Sequence, residues 1–176
     1  MTQHADQPDR SRYGTVHERA DGYQLRFERH LRHPVEKVWA ALTNPAQVAQ
    51  WLAPGEIELT LGGRVYLAFT DGDSVIDGQV TAIAPPRLLE FTWTDKGNDL
   101  GFVRWELTAE DGGTRLALTH NLSEAARAFG LPALAGWHSL LDQLAALLDD
   151  QPLPVAGGRW QELHDHYAQA GVMGDR

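Results

Sequence analysis

Cysteine is absent from the 176 residues, which excludes a disulfide framework, a thiolate nucleophile and any cysteine-based metal site. No apolar run approaches eighteen residues, so no membrane-spanning helix is expected. The opening M-T-Q-H-A-D-Q-P-D-R lacks the basic-then-apolar order of a signal peptide, and a cytoplasmic location is the expectation. Positive charge is in short supply: fifteen Lys and Arg stand against 24 Asp and Glu, for a net charge of −9. Phosphate recognition needs clustered Lys and Arg, so nucleic acid is not an expected partner. Arg10, Arg12, Arg19, Arg26, Arg29 and Arg32 are interleaved with Asp and Glu and read as a solvated face. Serine is scarce, and none of Ser11, Ser74, Ser123 and Ser139 lies in a G-x-S-x-G nucleophile elbow. Neither G-x-G-x-x-G nor a phosphate loop occurs, and no cofactor is expected.

What the chain does have is apolar and aromatic. Apolar residues make up 43% and charged ones 22%, ordinary values for one globular domain. Six Trp, five Phe and four Tyr supply an aromatic interior or the walls of a cavity. In residues 131–149, Leu134, Trp137, Leu141, Leu144 and Leu148 repeat at spacings of three and four, one face of a helix. Leu140 and Leu147 widen that stripe. At roughly 1.5 Å per residue this helix is about 27 Å long, enough to cross a small domain.

The remaining periods are mostly those of strands. Tyr23, Leu25, Phe27 and Leu31 alternate with polar residues, and Arg29 interrupts their apolar face. Val35, Val38, Trp39 and Leu42 then fall at helical spacing. Asn44-Pro45 ends that helix and caps a second one, A-Q-V-A-Q-W-L. Six further strands are expected at Glu56–Thr60, Arg64–Thr70, Val75–Ile83, Leu88–Thr94, Phe102–Thr108 and Thr114–His120, separated by Gly-, Asp- and Pro-rich turns. Ser123 is expected to cap a short helix ended by Gly130. The pattern predicts an α+β domain: about seven antiparallel strands curved around one long C-terminal helix, with two short helices after the first strand. The expected division is a disordered tail over 1–14, the domain over 15–150, and a linker with a short helix over 151–176. In that last helix Trp160, Leu163 and Tyr167 form a narrow stripe that must dock on its own domain or on a second chain.

Five segments appear in order: P-V-E-K-V-W-A-A-L-T-N-P at 34–45, G-G-R-V at 62–65, P-P-R-L-L-E-F-T-W at 85–93, G-G-T-R-L-A-L-T-H at 112–120 and G-W-H-S-L-L-D-Q-L at 136–144. Together they resemble bacterial SRPBCC proteins of the branch named after the activator of heat-shock-protein-90 ATPase. The resemblance covers roughly residues 22–150 and implies the START-related helix-grip fold. It also implies a range of activities, from hydrophobic-ligand binding to cyclases, hydratases and hydrolases.

Candidate residues follow from the strand parities and the long helix. Tyr66, Trp93, Trp105, Trp137 and Leu141 are expected to line a cavity between sheet and helix, or else to fill the core. His120 lies on the inward face of the last strand, as a general base, a ligand anchor or a core histidine bonded to its neighbours. His164-Asp165-His166 puts its two imidazoles at i and i+2, which point apart on a helix, so no metal site is expected there. Asp71, Asp73 and Asp77 resemble part of a calcium loop but lack its remaining ligands, and read as turn residues. Glu56 and Glu58 share an exposed strand face, and Arg104 with Glu106 forms a solvent-side pair. The expected function is binding of a hydrophobic or amphipathic small molecule, in a stress-response or regulatory role. Two alternatives stand beside it: a chaperone-associated or other protein-interaction module, including a homodimer, and a cyclase- or hydrolase-like cavity enzyme using His120.

Overall fold

A computed structural model describes residues 10–70, 72–154 and 156–174. One antiparallel sheet of eight strands runs in the order β1-β2-β8-β7-β6-β5-β4-β3. Its strands are β1 (Thr15–Arg19), β2 (Gly22–Leu31), β3 (Gly55–Ile57), β4 (Arg64–Ala68), β5 (Val75–Ala84), β6 (Leu88–Asp95), β7 (Asn98–Glu110) and β8 (Gly113–Ser123). Two short helices, α1 (Val35–Thr43) and α2 (Pro45–Trp51), connect β2 to β3; α3 (Gly130–Leu148) and α4 (Ala156–Gln169) follow β8. This is the helix-grip arrangement, with one strand more than the alternation predicts. The extra strand is β1, an edge strand with mostly exposed side chains, so it carries no apolar alternation to betray it.

The core is where the two periods meet. Leu134, Trp137, Leu141, Leu144 and Leu148 of α3 are all buried. They face Leu25 and Phe27 of β2, Leu89 and Phe91 of β6, Val103 and Trp105 of β7, and Leu116 and Leu118 of β8, which belong to the same cluster. Each such side chain contributes roughly 1.5–3 kcal/mol on burial, which makes the α3 stripe the principal brace of the sheet. Between α1 and α2 the Asn44 side chain accepts from the Ala46 N–H at 3.0 Å, capping α2 as expected. The Trp51 indole N–H donates to the Ala41 carbonyl at 2.8 Å and locks the two helices into a V.

Three local expectations need correction. The tail expected over 1–14 lies partly outside the described residues, but its last part is ordered. Arg10–Arg12 form a 3-10 turn, and the Gly14 N–H donates to the Tyr167 hydroxyl at 2.8 Å. Ser123 makes no side-chain cap, and Glu124–Phe129 is a 3-10 turn that runs straight into α3. Gly130 sits at φ −60°, ψ −49°, right-handed helical geometry, and so opens α3 rather than ending a helix, with Met173 packed where its Cβ would stand. Leu163 and Tyr167 are buried, so α4 docks on α3 of its own domain. Of the two docking partners open to the Trp160, Leu163 and Tyr167 stripe, it is the chain's own domain that buries Leu163 and Tyr167. None of these helices is long and apolar enough to cross a membrane.

Candidate functional site

The curved sheet and α3 enclose an open cavity of about 680 Å³. Its sheet-side wall is Phe69, Gly72, Ser74 and Trp93, and its opposite wall is the Pro132–Gln143 segment of α3. Phe129 and Trp160, the latter from α4, complete the lining. Apolar side chains dominate, the only polar ones are Ser74, Ser139 and Gln143, and no charged side chain lines it among the described residues. A cavity of this size, apolar with a few polar groups, has the dimensions of a small-molecule site.

Aromatic rings build its floor. Trp93 and Trp137 meet edge to face with centroids 5.0 Å apart, and Trp105 meets Trp137 in the same way at 5.6 Å. Trp105 in turn packs on Trp51 at 5.9 Å, so the cavity wall continues into the core without a break. Edge-to-face contact places the positive ring edge of one indole on the negative face of the next.

His120 stands behind that wall. The Trp137 indole N–H donates to His120 Nδ1 at 3.0 Å, and Nε2 lies 2.8 Å from the Leu100 carbonyl. Since a carbonyl can only accept, Nε2 carries the proton and the ring is a neutral, fully bonded tautomer. Burial pushes its pKa down to about 4, against the opposing pull of the Leu100 carbonyl. A bulge makes the second bond available. Thr92 pairs with Phe102 and Thr94 with Asp99, so Leu100 and Gly101 together oppose Trp93. Gly101 sits at φ +87°, a conformation suited to glycine, and the bulge leaves the Leu100 carbonyl free for His120.

Of the six residues the sequence singles out, the structure brings two into the cavity, Trp93 and Trp137. Trp105 and Leu141 are core residues one layer behind, buried to 2% and 1% exposure. His120, wholly buried, does not reach the cavity and has both nitrogens engaged, so the arrangement expected of a catalytic base is absent. Tyr66 is on the wrong side. Val65 and Leu67 take the inward positions of β4, and Tyr66 points outward under the Arg64 guanidinium, 4.9 Å from its ring. Inward and outward residues alternate along a strand, so one aromatic between two buried aliphatics belongs to the outer face.

A polar knot on the back of α3 escaped the sequence reading. Asp142 Oδ1 accepts from Arg12 at 2.8 Å and lies 4.0 Å from the buried Arg29; Oδ2 accepts from Arg159 of α4 at 3.3 Å. Arg29 also donates to the Glu28 carbonyl at 3.0 Å and lies over the Phe27 ring. Next to Asp142, the Tyr167 hydroxyl accepts from the Gly14 N–H at 2.8 Å and lies 2.9 Å from His138 Nδ1. Burial holds His138 down to about 4, helped by the three guanidinium charges and opposed by Asp142. Burial likewise pushes Tyr167 up to about 12. The available signal was a complementary pair: one arginine in the apolar face of β2, and one aspartate in the apolar run of α3.

The remaining polar candidates are surface features. His164 stacks on Trp160 at 4.9 Å while His166 packs on Tyr13 at 4.4 Å, so the two imidazoles diverge. Asp77 pairs with Arg64 at 2.8 Å, and Asp71 lies outside the described residues. Arg104 bridges Glu90 at 3.0 Å and Glu106 at 3.4 Å on the outer face. Among the described residues no cluster of His, Asp and Glu is arranged to hold a metal ion.

Against known families, residues 32–149 match the one described as Activator of Hsp90 ATPase homolog 1-like protein. The chain belongs to that family. No curated protein matches it. Among solved structures it is similar to CalU16 of Micromonospora echinospora, at 24% identity over 92% of this chain and 96% of that one, TM-score 0.73. Protein MLL2253 of Mesorhizobium loti is 32% identical over 74% of this chain and 99% of that one, TM-score 0.65. DynU16, a protein in the dynemicin biosynthetic locus, is 27% identical over 76% of this chain and half of that one, TM-score 0.67.

The family segment supplies most of the cavity but not all of it. Phe69, Trp93 and the α3 wall fall inside 32–149, whereas Trp160 of α4 falls outside. The knot divides in the same way: Asp142 and His138 belong to the family segment, and Arg12, Arg29, Arg159 and Tyr167 do not.

Proposed function

We propose that this protein binds a hydrophobic or amphipathic, uncharged small molecule in the cavity between sheet and α3. The observation that carries this reading is an open apolar cavity of about 680 Å³ whose floor is the Trp93–Trp137 pair. Burying flat apolar surface against these rings favours binding by roughly 25 cal/mol per Å² of area removed from water. A net charge on the ligand would go unpaired among these walls, which argues for a neutral one. His120 is a positioning residue in this reading, holding the Trp137 ring by its N–H. A stress-response or regulatory role would then follow from which molecule occupies the cavity.

Thermal unfolding against a panel of neutral aromatics, sterols and lipids tests the proposal. A ligand at a hundred times its Kd adds about 2.7 kcal/mol, a Tm rise of about 5–11 °C for a chain of this length. Gly136→Leu is the matching control. Gly136 lines the cavity, and a Cβ there would meet only Trp160 Nε1, at 3.9 Å, so the added side chain fills open space. The substitution should leave the unliganded Tm unchanged or higher and abolish every ligand-induced rise. A flat response of the unsubstituted protein across the panel would overturn the proposal.

A further inference from the structure

The C-terminal helix lies outside the family segment, yet its Trp160 lines the cavity. Three facts bear on its role. First, the indole stands beside Gly136, with Nε1 3.9 Å from where a Cβ would be, an ordinary contact distance that puts the ring edge directly against α3. Second, α4 is fastened at both ends of its contact with α3: Arg159 reaches Asp142 at 3.3 Å, and Tyr167 meets His138 at 2.9 Å. Trp160 adjoins Arg159 in sequence, so the knot sets the ring's height over the cavity. Third, the polar groups nearby are not used up. Ser139, buried to 6% exposure, lines the cavity together with Gln143 and Trp160. Among the described residues, none of these three side chains donates or accepts a hydrogen bond through its polar atoms. Trp137 and Trp51, by contrast, spend their indole N–H groups on His120 and Ala41.

We propose that α4 is an integral wall of the binding site and that Trp160 is its specificity-determining residue. Its ring limits ligand size, and its N–H, with Ser139 and Gln143, receives an uncharged oxygen function such as a carbonyl or hydroxyl. The Asp142 knot is the positioning device that holds this wall in place. The inference rests on the cavity being the ligand site. These polar atoms are open to the cavity rather than sealed from water, and a ligand oxygen entering it is the group that can take the place of water on them.

The test uses the full chain and two neutral fluorophores of similar size. Prodan carries a ketone oxygen, and N-phenyl-1-naphthylamine carries none. Trp160→Ala should weaken both probes by about ten-fold and raise acrylamide quenching of the remaining tryptophans. Trp160→Phe keeps a ring but no N–H, and should weaken Prodan by about five-fold while leaving N-phenyl-1-naphthylamine within about two-fold. Thermal unfolding of both variants checks that the fold is intact, and the Phe variant serves if the Ala variant does not fold. If both variants bind both probes like the unsubstituted protein and quenching is unchanged, the role of Trp160 is overturned. Loss of binding in Gly136→Leu would still stand in that case, and would keep the cavity itself as the site. If the unsubstituted protein binds neither probe while Trp160→Ala raises quenching, the cavity reading falls and the ligand-facing role falls with it.

Discussion

Trp137 donates its indole N–H to His120 Nδ1 at 3.0 Å, and through this bond the cavity wall is tied to the centre of the sheet. His120→Leu removes the acceptor of that bond and the donor to the Leu100 carbonyl, stranding two buried polar groups. At about 1–3 kcal/mol for each, unfolding in urea should show a loss of roughly 2–6 kcal/mol. His120→Gln, which can replace one bond, should recover part of it. A variant that loses ligand binding with no loss of stability would contradict this positioning role.

Acid should destabilise the fold in a defined window. Folded His120 takes up its proton near pH 4, whereas an unfolded histidine does so near 6.5. Below about pH 6.5 the unfolded chain therefore binds more protons than the folded one. Stability is intact above that pH and falls as the pH drops toward 4. The difference is on the order of 3 kcal/mol for His120, and His138 adds to the loss in the same direction and window. Urea midpoints measured between pH 4 and 7.5 should trace this slope, and His120→Gln should flatten it.

Asp142→Asn should be the costliest change in the knot. The carboxylate faces the buried Arg29 and holds Arg12 and Arg159, and losing its charge removes a counter-charge from beside that buried guanidinium. Breaking a buried pair from one side costs about 3–5 kcal/mol. Arg159→Ala removes a more exposed partner and should cost at most about 1 kcal/mol. Chemical denaturation of the two variants side by side gives the contrast.

Tyr66→Ala and Trp93→Leu should separate the two faces of the sheet. Tyr66 points outward, so its removal should leave ligand-induced Tm shifts unchanged. Trp93 is part of the cavity floor, and its replacement should remove most of those shifts. Equal effects from both would mean that the ligand binds elsewhere.

Gly101→Ala should unsettle the bulge that serves His120. At φ +87° a side chain strains the backbone by roughly 1–3 kcal/mol, and the Asn121 carbonyl occupies the place of the new Cβ. Calorimetry should show the lower Tm. Amide exchange should show opening of β7 and β8 around Leu100 and His120 ahead of the rest of the sheet.

The class of fold was written locally. Spacings of three and four from Leu134 to Leu148, and alternation from Leu116 to His120, are properties of one element at a time, and burial of one face enforces them wherever that element packs. The inward aim of His120 and the Asn44 cap were legible for the same reason. Other features required elements to meet. Whether Trp105 or Trp93 borders open space depends on how far α3 stands off the curved sheet, which no single element encodes. Val65, Tyr66, Leu67 and Ala68 are apolar in succession, so β4 alone does not settle which face Tyr66 takes, and burial of Val65 and Leu67 turns it outward only once β4 lies in the sheet. β1 and the ordered Arg10–Gly14 segment were invisible because their partners, β2 and Tyr167, are contributed from elsewhere in the chain. Periodicity thus determined which residues face inward. Only tertiary packing decided which of those inward residues meet one another, which meet a cavity, and that a helix beyond the family segment lends Trp160 to its lining.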